Sequence, residues 1–77
     1  MQGSIIKGNE VLFEDIRVSL IEESRQNIWG GFAYLPPKMN IDAGEYELRL
    51  EDGRSGAVCV VSVREGIAMF RGAGPLA

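Results

Sequence analysis

The chain contains no histidine and a single cysteine, Cys59, among its 77 residues. One thiol cannot close an internal disulfide, and without imidazole partners it cannot complete a structural zinc site. The missing histidine also removes the commonest general acid–base group. An enzyme built on this chain would have to use carboxylates or its lysines, Lys7 and Lys38. A core of this size supplies roughly 3–5 kcal/mol unless a staple adds to it. With disulfides and metals set aside, association with a second copy is the staple that remains, so a homo-oligomer is expected.

Long apolar runs are equally scarce. The longest, Ala57–Val61, is far too short to span a bilayer. Met1-Gln2-Gly3-Ser4 leads into no apolar stretch of signal-peptide length. A soluble, cytoplasmic protein with no membrane partner is expected, and the lone thiol suits a reducing compartment. Charge of one sign is modestly in deficit: eight basic against eleven acidic residues give a net charge of −3. That balance speaks against nucleic acid as a partner. Six of the eight basic residues are arginine, which suits planar contacts.

What is present is alternation. No segment of ten residues keeps a helical period, whereas short alternating runs broken by turn residues recur along the whole chain. Residues 1–77 therefore read as a single small β domain. Strands are expected at Ser4–Lys7, Val11–Phe13, Ile16–Glu22, Ile28–Leu35, Glu45–Glu51, Ala57–Val63 and Ile67–Arg71. Gly8-Asn9, Ser24–Asn27, Pro36-Pro37, Asp42–Gly44, Asp52-Gly53 and Glu65-Gly66 separate them. The expected fold is all-β: a small, strongly bent antiparallel meander forming a partly open barrel, SH3-like or OB-like in size. A two-sheet sandwich is the alternative.

Turn geometry sets the register. A two-residue turn at Asp52-Gly53 places Leu48 opposite Ala57 and Tyr46 opposite Cys59. Another at Glu65-Gly66 places Val63 opposite Ala68 and Val61 opposite Phe70. The expected core face then holds Tyr46, Leu48, Leu50, Ala57, Cys59, Val61 and Val63, with Val58 and Val60 outside. In the N-terminal hairpin, pairing Glu23 with Ile28 places Ile16, Val18 and Leu20 inside. Arg17 by Tyr34, Ser19 by Phe32 and Ile21 by Gly30 lie on the reverse face. Gly30-Gly31 in mid-strand suggests a bulge or a sharp bend. A one-residue change in either turn would invert these faces.

No constellation of catalytic type emerges. Cys59 sits in an apolar run and reads as buried and structural. Glu22-Glu23, Glu45, Glu47, Glu51 and Asp52 read as solvated charge, and no serine has a histidine to activate it. Gly53-Arg54-Ser55-Gly56 is not a nucleophile elbow, and no Lys-Ser/Thr follows Gly72-Ala73-Gly74. Neither enzyme activity, nor a cofactor, nor a metal is expected. Two surfaces remain. Val58, Val60, Ile67, Met69 and Arg71 form an expected apolar interface on the C-terminal meander, fitting self-association or another protein. Arg17, Phe32 and Tyr34, with Trp29 nearby, form a candidate ligand site of the arginine–aromatic kind that also binds single-stranded nucleic acid or anions.

Overall fold

The computed structural model describes residues 1–23 and 28–77, and the expected Ser24–Asn27 turn lies outside them. Among the described residues six strands form: β1 (Gln2–Lys7), β2 (Glu10–Glu23), β3 (Ile28–Tyr34), β4 (Gly44–Leu50), β5 (Ser55–Arg64) and β6 (Ile67–Gly72). They close into an antiparallel barrel in the order β1-β2-β3-β6-β5-β4, with β4 pairing back onto β1. The all-β barrel is as expected, but it is closed rather than partly open, and it is not a sandwich. Two three-stranded meanders, β1–β3 and β4–β6, join along the β3–β6 and β1–β4 seams. In a ring of six, those seams lie on opposite sides. β3 and β4 also face each other across the ring, so their connection crosses one mouth, where Leu35 is buried and Ile41 packs on the core. No helix among the described residues is long and apolar enough to cross a membrane.

Sequence periodicity divides β2 at Glu14-Asp15, yet the 14 residues form one strand. Its register against β1 slips twice, leaving an extra residue near Asp15 and another at Leu12. Asp15 takes a left-handed backbone (φ 53°), which aspartate tolerates better than most residues. Its N–H donates to Ser4 Oγ at 3.4 Å. Such bulges bend and twist a strand. Here they let β2 leave β1 and continue along β3.

The β4–β5 turn differs from expectation, and the difference propagates. Leu50 N–H donates to the Arg54 carbonyl at 2.8 Å, and Gly53 N–H donates to the Leu50 carbonyl at 3.0 Å. The loop is therefore Glu51-Asp52-Gly53, and Gly53 alone among these residues has positive φ, at 94°. That is a turn closed by a left-handed glycine, not the mirror-image two-residue turn, which needs positive φ twice. Tyr46 consequently faces Val58, and Leu48 faces Gly56. The expected faces of β5 are reversed there: Val58 and Val60 are each 2% exposed in the core, while Val61 is 38% exposed.

At the other end of β5 the expectation is met. Glu65 (φ 52°) and Gly66 (φ 76°) make a two-residue turn, and Arg64–Ile67, Val63–Ala68 and Ser62–Met69 pair. A bulge at Val61 reconciles the two halves. Beyond it Phe70 faces Val60 instead of Val61, and Arg71 faces Cys59 instead of Val60.

The β2–β3 ladder has the expected register throughout, from Arg17–Tyr34 to Glu23–Ile28. Gly30 and Gly31 sit in it with no slip toward β2 or β6, so they mark a bend and not a bulge. A Cβ on Gly30 would lie 2.6 Å from the Phe70 carbonyl oxygen, and one on Gly31 would collide with the Ser19 carbonyl oxygen. The second mouth is closed by Trp29, whose indole N–H donates to the Gly74 carbonyl at 2.7 Å. Its ring meets Phe70 edge-on, 6.3 Å between centroids. The tail is irregular as expected, but it is tied back: Ala73 N–H donates to the Ala57 carbonyl, and Ala77 and Ser55 exchange both backbone bonds.

Candidate interaction surface

Closure of the barrel through β3–β6 brings the ends of both meanders together. Directly paired residues project to the same side. Across β2, β3, β6 and β5, three outward rows can therefore be followed from the ladders. The first is Arg17, Tyr34, Ile67, Arg64; the second Ser19, Phe32, Met69, Ser62; the third Ile21, Gly30, Arg71, Cys59. Because β2 and β5 stand opposite each other in the ring of six, these rows wrap around the barrel, with β3 and β6 at their centre.

The two surfaces expected from sequence are thus one surface. Phe32 faces Met69 directly, and Tyr34 faces Ile67. Three of the five expected interface residues, Ile67, Met69 and Arg71, lie on it together with all of Arg17, Phe32 and Tyr34. Val58 and Val60 do not: the extra loop residue at the β4–β5 turn turns them into the core, so the interface drawn from sequence loses them. Trp29 is also excluded, since it points inward at 7% exposure. Cys59, expected in the core, is half-buried on the outer face for the same reason as Val58 is inside. Ile28 was not foreseen as part of a site. It stands 57% exposed beside Ile21, which is 60% exposed.

Relief is supplied by an absence of side chain. With no Cβ at Gly30, a groove of about 450 Å³ opens between Ile21 and Ile28 on one flank and Phe32 and Met69 on the other. Arg71 and Glu23 both line it. An apolar slot of this kind is a place for an anchoring side chain.

The arginines fall into two groups. Arg49 is paired with Glu47 at 2.8 Å, and Arg54 with Glu22 at 2.7 Å and Asp52 at 2.9 Å. The Arg54 backbone N–H and then its guanidinium hold Asp52 below the usual carboxylate range, while Asp52 and then Glu22 raise Arg54. Arg17, Arg64 and Arg71 form no salt bridge among the described residues. Arg17 lies over the Tyr34 ring, 5.2 Å from its centroid, in cation–π geometry. The Tyr34 hydroxyl is 3.3 Å from Ser19 Oγ, which fixes the ring on the sheet. None of the twelve positions in the three rows is a carboxylate, but two border them: Glu23 on the next ladder step beside Ile28, and Glu45 opposite Cys59.

No cluster of three metal-ligating side chains occurs among the described residues. Comparison with protein families, curated proteins and solved structures finds nothing that matches the chain.

Proposed function

We propose that this protein is a non-enzymatic assembly module that self-associates through the outer face centred on β3 and β6. The observation that carries this reading is the pair of adjacent ladder steps Phe32–Met69 and Tyr34–Ile67, an aromatic–aliphatic strip on the outside of a barrel. Ile21, Ile28, Ile67 and Met69 remain 60, 57, 38 and 38% exposed around it. Exposed apolar side chains gathered in one patch are a feature of interaction sites, whereas scattered ones are ordinary surface. A thin core gains most from burying it. The single thiol suits a reducing, cytoplasmic setting for such an assembly.

A second reading draws on the stack of Arg17 over Tyr34 beside Phe32, which is the composition of a platform for single-stranded nucleic acid or an anionic ligand. Light scattering across micromolar concentrations separates the two. Self-association predicts a molar mass above the 8.4 kDa of one chain, returning to 8.4 kDa in Met69→Asp. A wild type that stays monomeric throughout overturns it. If that monomer binds a short oligonucleotide at low salt and Tyr34→Ala abolishes binding, the second reading replaces the first.

A further inference from the structure

We infer that two copies meet by the same patch around a two-fold axis, with Ile21 of each filling the groove over the partner's Gly30 and Glu23 of each facing the partner's Arg71. This rests on the self-association reading and specifies its symmetry and contacts. The groove is a hole in the outer layer of side chains. Gly30 contributes none, and its outward neighbours are Ile21 on β2, Ile28 and Phe32 on β3, and Met69 and Arg71 on β6. Glu23, paired with Ile28, lines the same hole from its corner. The chain cannot fill the hole itself, because a Cβ on Gly30 would come 2.6 Å from the Phe70 carbonyl oxygen. Ile21 and Ile28, the two most exposed large hydrophobic side chains among the described residues, stand on its rim at 60 and 57%.

A two-fold interface needs a patch that is its own complement. Here an apolar knob, Ile21, and an apolar hole, over Gly30, are neighbours in one ladder row. A carboxylate and a guanidinium line the same hole from different strands and form no salt bridge among the described residues. An axis lying in the contact plane, midway between Glu23 and Arg71, sets each of these against the other on the partner. On ladder spacings of about 4.8 Å between strands and about 6.8 Å between alternate residues, the same axis carries Ile21 to about 3 Å from the point above the partner's Gly30. One operation therefore satisfies the apolar fit and the charge pairing together. Arg17 and Arg64 lie two rows away, and Cys59 separates Glu45 from Arg71. The two rim pairs fix the register, while the isoleucines supply the buried apolar contact.

Charge reversal tests the symmetry. Glu23→Arg sets like charges against each other twice across the axis, and so does Arg71→Glu. Each variant alone, checked for folding by circular dichroism, should associate at least about tenfold more weakly than wild type in light scattering. Their equimolar mixture should recover the wild-type affinity, because every introduced charge then meets its opposite. Wild-type mass should level off at twice the 8.4 kDa of one chain, since a two-fold contact closes on itself. Ile21→Ser changes no charge and gives an independent reading, with a loss of roughly tenfold or more expected. Single variants that associate like wild type, a mixture that stays weak, or a mass that climbs past two chains would each overturn the two-fold geometry and leave self-association standing. Unchanged association of Ile21→Ser would do the same. A wild type that is monomeric at every concentration removes both.

Discussion

The indole of Trp29 lies directly on the bare backbone of Gly72. A Cβ there would fall within contact distance of the indole nitrogen, and one on Gly56 would come to 2.8 Å from the far edge of the same ring. Two glycines on neighbouring strands thus form the seat for the one tryptophan, and the tail carbonyl of Gly74 holds it in place. Gly72→Ala should cost about 1–3 kcal/mol, because a rigid ring must move against a packed core. Gly74→Ala, with nothing within 4 Å of its Cβ, should stay within about 0.5 kcal/mol of wild type. Chemical denaturation with an unchanged slope distinguishes the two.

Val60 and Met69 sit one ladder step apart and should respond in opposite ways to charge. Val60→Asp buries an unpaired carboxylate at a site that is 2% exposed. The penalty, several kcal/mol, is comparable to the whole stability of a domain of this size, so the variant should be unfolded by circular dichroism. Met69→Asp lies on the surface and should keep the fold within about 1 kcal/mol while lowering the molar mass in solution.

Val61 is the extra residue in its bulge, which makes β5 tolerant of a particular deletion. Removing Val61 leaves Ser62 outward and Val60 inward, so every other side chain keeps its face. The shortened protein should fold cooperatively, about 1–3 kcal/mol less stable for the lost bend. Removing Cys59 instead gives the same shortened chain with valine in place of cysteine at one outward position, because Val60 and Val61 then fill the outward and inward places, so it should fold as well. Thermal melts followed by near-ultraviolet circular dichroism report on both.

The Asp52 carboxyl is held below its ordinary range by the Arg54 N–H and guanidinium. Its folded pKa is depressed, so the stabilisation is present above the unfolded value, near pH 4, and is lost as pH falls through the folded value. Arg54 stays charged throughout. Melting temperatures of wild type and Asp52→Asn should differ at pH 6 and converge as pH falls through the folded value. The difference should be small, since the pair is solvent-exposed. A gap that does not shrink at all on acidification would mean the carboxylate charge is not its source.

Much of the fold is written in local pattern. The β2–β3 ladder, the Glu65-Gly66 turn and the inward set Val18, Leu48, Leu50, Ala68 and Phe70 follow from alternation and turn chemistry. The β4–β5 register does not, because Asp52-Gly53 suits both a two-residue turn and the end of a three-residue loop, and the two differ by one step of a two-step period. That ambiguity alone moved Val58 and Val60 from the surface to the core. The merged face is harder still to foresee. Phe32 and Met69 are 37 positions apart, and their contact depends on which meander edge pairs with which, a choice no short window encodes.

Closure of the ring has a last consequence for evolution. Every barrel strand has a neighbour on both sides, so a partner cannot be recruited by extending a ladder through backbone hydrogen bonds. Recognition is confined to side chains, and those on the outer rows are the ones the core does not need. Partner choice can therefore drift by surface substitution while the scaffold stays unchanged, and strand-by-strand polymerisation of the kind open edges invite is closed off from the start.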